Sequence, residues 1–187
     1  MTSVQPNLTV ALAPLHTTIC DSPCGPLTFV ASDVGLRAVL WPHEQAGRVV
    51  FAEPLVADPQ HPVIVAAVTQ VQEYFAGTRT TFDLPLDLRG TPFQVKVWRS
   101  LAGIAYGTTA TYGEQAARLG DAKKARAVGA ANGRNPVSIV LPCHRVVGSD
   151  GSLTGFAGGL ETKRYLLALE SGDQIAMRSA AACLSRL

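Results

Sequence analysis

The first half of the chain begins with the hydrophobic spacing of a small β-sheet. Two short apolar runs, 27–31 and 35–41, are separated by polar residues and a glycine, which predicts two strands joined as a hairpin. Residues 82–88 alternate apolar side chains with Asp, Pro and Asp. We expect an edge strand there, because proline cannot donate to a ladder of backbone hydrogen bonds.

Between these strands, residues 62–75 have the spacing of an amphipathic helix. Apolar side chains recur on one face, a proline stands at the first turn, and Gly77 follows the end. Such a helix buries its apolar face on a sheet. The pattern therefore predicts a small α/β domain over residues 1–88.

The second half contains capping residues and glycines that mark the ends of successive short helices. Thr91 is placed to cap a helix that runs toward Gly103, and Thr111, with a glutamate three residues on, forms a capping box for the next. Asp121 caps a third helix, which stops at Gly133. Two short helices joined by a tight turn are typical of a helix-turn-helix, although many such pairs never touch nucleic acid.

The chain then enters a glycine-rich stretch, 148–159, which predicts a loop before a last helix over 161–170. The fold class is therefore α+β overall, with an α/β N-terminal domain followed by a mainly α C-terminal domain over 89–171. We interpret residues 172–187 as an appended tail.

Composition and charge narrow the class of partner. Of 187 residues, 47% are hydrophobic and 16% charged, which supports a packed core. The net charge of +2 conceals an asymmetry. Residues 1–88 hold three basic and eight acidic side chains, a net charge of −5, whereas 89–170 hold eleven and five, a net charge of +6. An ordinary solvated basic surface explains the charge alone equally well, but together with a helix-turn-helix it indicates DNA binding.

The chain lacks the sequence signals of export, membrane insertion or a metal centre. No uncharged apolar run approaches the ~20 residues of a membrane helix, and no basic residue precedes the apolar stretch at 8–15, so we expect a cytoplasmic protein. Cys20 and Cys24 have a zinc-like spacing, but no second pair closes a tetrahedral site, and His43 and His61 stand alone in the sequence. We expect free thiols, no metal and no cofactor.

The strongest candidate chemistry lies at Cys143 and His144. An apolar, strand-like run at 138–141 leads to this pair, beside the glycine-rich loop. A lone cysteine of this kind is usually a small buried hydrophobe. A nucleophilic cysteine needs a cation, a helix terminus or a base to stabilise its thiolate, and His144 with Glu170 could provide the base and its orienting carboxylate. We therefore expect a lowered pKa for Cys143.

Five sequence blocks resemble the O6-alkylguanine-DNA alkyltransferases, also called methylated-DNA-protein-cysteine methyltransferases. They are PCHRV at 142–146, ARAVGAANGRNP at 125–136, GFAGGLETKRYLLALE at 155–170, FQVKVW at 93–98 and TYGEQA at 111–116. The resemblance covers about residues 90–171 and extends faintly to SPCGPL at 22–27. It implies direct transfer of an alkyl group from O6-alkylguanine, and from O4-alkylthymine, in duplex DNA to a cysteine. Each molecule would react once, after a minor-groove-bound helix-turn-helix flips the base.

The resemblance implies a role for each matching residue at the reacting centre. Cys143 is the acceptor, His144 a base linked to it through water, and Glu170 the carboxylate that orients His144. Tyr112 donates a proton or a hydrogen bond to the departing guanine, although a core aromatic also fits that position. Asn135 ties the helix-turn-helix to the active-site segment, although a helix-end turn residue fits as well.

The resemblance also implies the DNA-binding and base-binding sets. Arg126 is the intercalating arginine, for which a phosphate contact is the alternative. The remaining DNA-binding candidates are Thr111, Lys123, Lys124, Ala125, Ala127 and Gly129, with small Ala130 beside them. The base pocket is expected from Val146, Phe156, Ala157 and Gly158.

The sequence departs from the family at two of these places and leaves some properties open. The family often has Tyr where this chain has Phe156, which predicts altered substrate preference, and Cys24 replaces an apolar residue. The zinc ligands of some eukaryotic members have no matching set here. We expect a monomer, and cooperative assembly on DNA remains open.

Two other functions compete with a single-turnover transferase. A non-catalytic module that binds alkylated guanine would lack an acceptor cysteine, and Cys143 is present. A cysteine hydrolase would need an acyl site and oxyanion donors, and its thiol would turn over.

Overall fold

The computed structural model describes residues 12–43 and 45–184. Its N-terminal half contains a four-stranded sheet with the strand order β3-β2-β1-β4. The strands are β1 (Leu15–Cys20), β2 (Leu27–Ser32), β3 (Gly35–Leu40) and β4 (Leu55–Ala57). The pairs β1–β2 and β2–β3 are antiparallel, whereas β4 adds to β1 in parallel. Helix α1 (Pro62–Phe75) packs on the sheet through Ile64, Ala67, Val71 and Tyr74.

The predictions for this half are confirmed for the β2–β3 hairpin and for helix α1. The two apolar runs form β2 and β3, and the helix has the predicted bounds. Gly77 follows with φ +74°, a left-handed conformation that glycine adopts without strain. Strands β1 and β4 were not predicted. Their side chains are mostly half-buried or exposed, so they lack the continuous apolar pattern of β2 and β3.

The predicted edge strand at 82–88 is wrong as a regular element. It makes only a short parallel bridge between Leu86 and Leu36. The Leu36 amide donates to the Pro85 carbonyl at 2.8 Å, and the Asp87 amide donates to the Leu36 carbonyl at 3.0 Å. Pro85 has no amide hydrogen with which to extend this ladder.

The C-terminal half has the predicted helix-turn-helix. Its elements are α2 (Pro92–Ser100), the short strand β5 (Ala110–Thr111), α3 (Tyr112–Arg118) and α4 (Ala125–Gly133). The predicted capping box at Thr111 is present, and Thr91, predicted as a helix cap, forms a second capping box with Gln94. Asp121 caps a single 3₁₀ turn that leads into α4, rather than α4 itself. Val97, Ala116 and Val128 form the small core between the three helices.

The apolar run at 138–141 is not a strand. It forms turns, in which the buried Ile139 has φ +73°, a conformation that costs a β-branched residue about 1–3 kcal/mol. A 3₁₀ turn (Cys143–Arg145) follows, and then the short strand β6 (Val146–Val147), which pairs in parallel with β5. A short apolar run does not by itself distinguish a buried strand from a buried turn.

The predicted helix near the C-terminus is confirmed, but it is not the last one. Helix α5 (Gly159–Ser171) ends at Gly172, which has φ +72°. The predicted tail forms a further helix, α6 (Gln174–Leu184), that packs against α5 and buries Ala180. The boundary at 88/89 stays a prediction, because one hydrophobic core joins residues from both halves, including Phe29 and Leu166. Over residues 12–43 and 45–184, no helix is long and apolar enough to cross a membrane.

Candidate active site and DNA interface

Cys143 lies at the start of its 3₁₀ turn, with a buried side chain. The Nδ2 atom of Asn135 lies 3.2 Å from Cys143 Sγ and donates to the Leu141 carbonyl at 2.7 Å. The Asn135 Oδ1 atom accepts from the Val137 amide at 3.2 Å, and Asn135 is fully buried. Asn135 therefore holds the turn that carries the cysteine and places an N–H donor on the sulfur.

Burial raises the pKa of the Cys143 thiol, and this effect exceeds the opposing effects of Asn135 and of the charges on Lys163 and Arg48. The expectation of a lowered pKa is therefore wrong for this structure. Desolvation penalises a thiolate more than one amide hydrogen bond and two nearby cations favour it. The resting protein holds a thiol, so a base must remove its proton when it reacts.

The structure brings His144 and Glu170 together, in a buried cluster beside Cys143. The His144 Nε2 atom lies 2.7 Å from Glu170 Oε1, and both side chains are almost completely buried. Glu170 belongs to the last turn of α5, so the contact joins that helix to the cysteine turn. The predicted pair is thus in hydrogen-bonding contact.

Two further side-chain partners of Glu170 were missed by the sequence analysis. Arg145 donates to both carboxylate oxygens, at 2.8 Å from Nε and 3.0 Å from a terminal nitrogen. The hydroxyl of Tyr74, in the last turn of α1, donates to Oε1 at 2.7 Å. Arg145 stands inside the PCHRV block, where its charge was a usable signal. Nothing in the sequence of α1 distinguishes Tyr74 from an ordinary core residue.

These contacts determine the protonation of the cluster. Burial alone would raise the pKa of Glu170, but the hydrogen bonds of His144 and Arg145, with the charge of Arg145, outweigh it and hold that pKa at about 2. Burial lowers the pKa of His144, so we infer a neutral ring. A neutral His144 that donates from Nε2 to Glu170 leaves Nδ1 as the basic nitrogen. Among the described residues, that Nδ1 atom is buried without a hydrogen-bond partner.

An open cavity of about 540 Å³ lies between the helix-turn-helix and the glycine-rich loop. Thr111 and Tyr112 line it from the start of α3, Arg126 and Gly129 from α4, and Thr154 from the loop. Burial raises the pKa of Tyr112, which keeps its phenol protonated, and the charge of a Cys143 thiolate raises it further. The cavity wall thus carries a protonated phenol, whose oxygen accepts from the Thr154 hydroxyl at 3.2 Å.

Helix α4 and the turn before it present a basic, exposed surface at the cavity. Lys123, Lys124, Arg126 and Ala127 are exposed, and Ala125 is half-buried. Gly129 faces the Tyr112 ring, where an added Cβ would meet ring atoms at 3.5 Å. Of the predicted DNA-binding residues, Thr111, Ala125, Arg126 and Gly129 line the cavity beside Tyr112, whereas Lys123, Lys124 and Ala127 are exposed but do not line it.

Both halves of the chain match families of one kind. Residues 15–88 match "6-O-methylguanine DNA methyltransferase, ribonuclease-like domain", and residues 92–172 match "6-O-methylguanine DNA methyltransferase, DNA binding domain". The chain belongs to the 6-O-methylguanine DNA methyltransferase family. The predicted resemblance and fold class are confirmed.

Individual methyltransferases of this family are similar over most of the chain. The methylated-DNA--protein-cysteine methyltransferase of Mycobacterium tuberculosis is 46% identical over 156 residues, which are 83% of this chain and 92% of the relative. That of Methanosarcina acetivorans is 42% identical, over 83% and 98%. The crystal structure of Mycobacterium tuberculosis OGT in complex with DNA superimposes with a TM-score of 0.80, at 43% identity over 88% of this chain and 98% of that one.

The predicted base-pocket residues of this methyltransferase do not all line the same cavity. Phe156 packs edge-on against Trp41, with ring centroids 5.5 Å apart, and its ring lies 6.3 Å from that of His144. Phe156 and Ala157 line a neighbouring cavity of about 310 Å³. Gly158 lies against Trp41 instead, and Val146 is fully buried, with its carbonyl accepting from Lys163 Nζ at 2.6 Å.

Proposed function

We propose that the chain repairs DNA by moving an alkyl group from O6-alkylguanine in a duplex directly onto Cys143. The observation that carries the proposal is the setting of this sulfur. It is buried and fixed by Asn135, and the next residue, His144, is held by Glu170 with one basic nitrogen left unused. This arrangement supplies a nucleophile and a base without any metal or cofactor.

The proton of the thiol goes to His144 in this proposal. Because burial keeps Cys143 protonated, His144 Nδ1 removes the proton through one water molecule as the sulfur attacks. The imidazolium that forms lies against the carboxylate of Glu170, which stabilises it. Glu170 is thus the orienting carboxylate, and Arg145 and Tyr74 hold Glu170 in turn.

The transfer breaks one bond and forms one. The new S–C bond forms at Cys143 while the C–O6 bond of the base breaks, and the electron pair of that bond stays on guanine. The Tyr112 hydroxyl donates to the guanine ring nitrogen and neutralises this charge. Tyr112 then regains a proton from solvent and His144 releases one to solvent, so that over the whole reaction guanine gains the proton that the thiol loses.

The basic surface of α4 and of the turn before it binds the duplex in the minor groove. A stacked base cannot reach a buried sulfur, so the alkylated base must leave the duplex and enter the cavity beside Tyr112. Arg126, exposed on α4 at the cavity edge, fills the space that the base vacates. Lys123 and Lys124 contact phosphates.

The product explains why the protein reacts once. A thioether has no leaving group that water can displace, so each monomer repairs one lesion. We include O4-alkylthymine as a second substrate and place the reaction in the cytoplasm. No observation favours the non-catalytic binding module.

The experiment is incubation with a duplex that carries radiolabelled O6-methylguanine. We expect label on the protein at up to one equivalent per chain, and none for Cys143→Ser. Cys183→Ser, which alters an exposed thiol, is the matched control and should react fully. Label that stays on DNA with the unaltered protein would favour the binding module, and label released catalytically would favour a hydrolase.

A further inference from the structure

Two histidines and an aspartate meet in the N-terminal half, away from the cysteine site. His16 lies on β1, Asp33 in the turn between β2 and β3, and His61 immediately before α1. Although His61 stands alone in the sequence, its ring stacks on that of His16 with centroids 4.2 Å apart. No part of the proposed repair reaction uses these three side chains.

The geometry of the cluster is close to that of a metal site. Asp33 Oδ1 lies 3.5 Å from His16 Nε2 and 3.6 Å from His61 Nε2. All three atoms lie within 4.8 Å of one another. Ligands at about 2.0–2.1 Å from a tetrahedral zinc ion are separated by about 3.3–3.5 Å. The three atoms are therefore near the spacing of ligands on one ion, and one of the stacked rings must turn out of the stack so that both Nε2 lone pairs point at it.

A fourth side chain lies close to one of the histidines. Asp58 Oδ2 lies 3.0 Å from His16 Nδ1, a close contact that lacks hydrogen-bond geometry. A rotation of either side chain would let this carboxylate accept from Nδ1 when Nε2 binds an ion. Asp58 is itself fixed, because its amide donates to the Thr17 carbonyl at 3.0 Å and its Oδ1 accepts from the Gln60 amide at 3.2 Å. A carboxylate behind a histidine ligand is a common support of zinc sites in proteins.

We propose that His16, Asp33 and His61 bind one divalent transition-metal ion of the zinc type, with Asp58 supporting His16. Two imidazoles and one carboxylate suit zinc, cobalt, nickel or copper, and they disfavour magnesium and calcium, which require oxygen ligands. Three protein ligands leave a fourth position for water. The ion would join β1, the β2–β3 turn and the start of α1.

An ion that links these three elements would stabilise the N-terminal half. The three ligands are far apart in the chain, so the ion closes long loops that are open in the unfolded state. Helix α1 begins immediately after His61, and its last turn carries Tyr74, which contacts Glu170. The inference does not depend on the proposed alkyl transfer.

The test uses the full chain without a histidine tag, stripped with a chelator and titrated with Co²⁺ and then Zn²⁺. We expect one ion to bind per chain. Bound cobalt should show the visible absorption bands of a site with nitrogen and oxygen ligands, and no thiolate band in the near ultraviolet. At a zinc concentration about 100-fold above Kd, the melting temperature should rise by about 5–10 °C.

Variants locate the site. Asp33→Ala alters a side chain that is 78% exposed, so the fold should be kept, and it should weaken binding at least about 10-fold, as should His61→Ala. His43→Ala, at an exposed histidine, is the control and should bind normally. Absence of 1:1 binding, a thiolate band, or equal affinity in Asp33→Ala and the unaltered chain would overturn the proposal.

Discussion

Replacement of Glu170 by glutamine tests the buried cluster beside the cysteine. Every contact that the described structure gives the Glu170 carboxylate is with a donor group: the Tyr74 hydroxyl, His144 Nε2, the Gly107 amide and two nitrogens of Arg145. Glutamine keeps the shape of the side chain but replaces one acceptor oxygen with an NH₂ group. At least two donors then lose their acceptor, and the buried Arg145 loses its counter-charge.

Two separate magnitudes give a similar loss of folding free energy for Glu170→Gln. A pKa of about 2 in the folded protein against 4.5 for the ordinary group corresponds to about 3 kcal/mol of stability at neutral pH. Removal of one partner from a buried ion pair costs about 3–5 kcal/mol. Glu170→Gln should therefore lower the free energy of unfolding by about 3–5 kcal/mol at pH 7.

The pH dependence has a definite sign. Because the folded pKa of Glu170 is depressed, its contribution is complete above the unfolded value of 4.5 and is lost as pH falls toward about 2. Urea unfolding followed by tryptophan fluorescence, at pH values from 7 to below 3, should show a large difference between variant and unaltered protein that shrinks with acid.

The control is Glu161→Gln on the same helix, at a partly exposed pair with Arg164. It should change stability by less than about 1 kcal/mol, because a surface pair is screened by solvent. The reasoning is refuted if Glu170→Gln costs no more than this control, or if its cost is the same at pH 7 and pH 3.

Three further changes have defined outcomes. Arg126→Ala should slow repair of duplex DNA much more than reaction with free O6-benzylguanine, which needs no base flipping; equal losses would remove its assigned role. Gly158→Ala would place a Cβ 2.6 Å from the Trp41 ring and should cost about 1–3 kcal/mol in urea unfolding, whereas Gly103→Ala, with open space around it, should cost less than about 1. Tyr74→Phe removes one hydrogen bond to a carboxylate that keeps other donors, and should cost about 1–2 kcal/mol; an unchanged denaturation midpoint would contradict this.

Local signals in the sequence predicted the elements whose ends carry capping residues or glycine. Helix α1 was predicted with its bounds, because a proline and a glycine flank a periodic pattern. The capping residue Thr91 and the capping box at Thr111 located α2 and α3 in the same way. These interactions lie within a few residues of one another, so the sequence alone displays them.

Elements that depend on distant partners were missed or misassigned. The run at 138–141 is apolar because it is buried on all sides, and its turn conformation, with Ile139 in the left-handed region, depends on Asn135 and the surrounding core. Strand β4 has three exposed residues and exists only by pairing with β1. Helix α6 makes its main contacts with α5, and its one buried residue, Ala180, gave no sequence signal.

The residues of the candidate site likewise divide into those that local sequence signals predicted and those that depend on distant packing. Cys143 and His144 were predicted because they form an adjacent reactive pair, and the family resemblance supported both of them and Glu170. Tyr74 joins them from the other half of the chain, 70 positions away from His144, and only the packing of α1 reveals it. The raised pKa of Cys143 was also unpredictable, because it depends on complete burial rather than on neighbours in sequence.

The most direct test of the central claim is to locate the transferred group. After reaction with a duplex containing one O6-methylguanine, intact-mass measurement and peptide mapping should find one added methyl group per chain, on Cys143, and an equal amount of unmodified guanine in the DNA. A methyl group on Cys20, Cys24 or Cys183 instead, or restored guanine without any modified protein, would contradict the account.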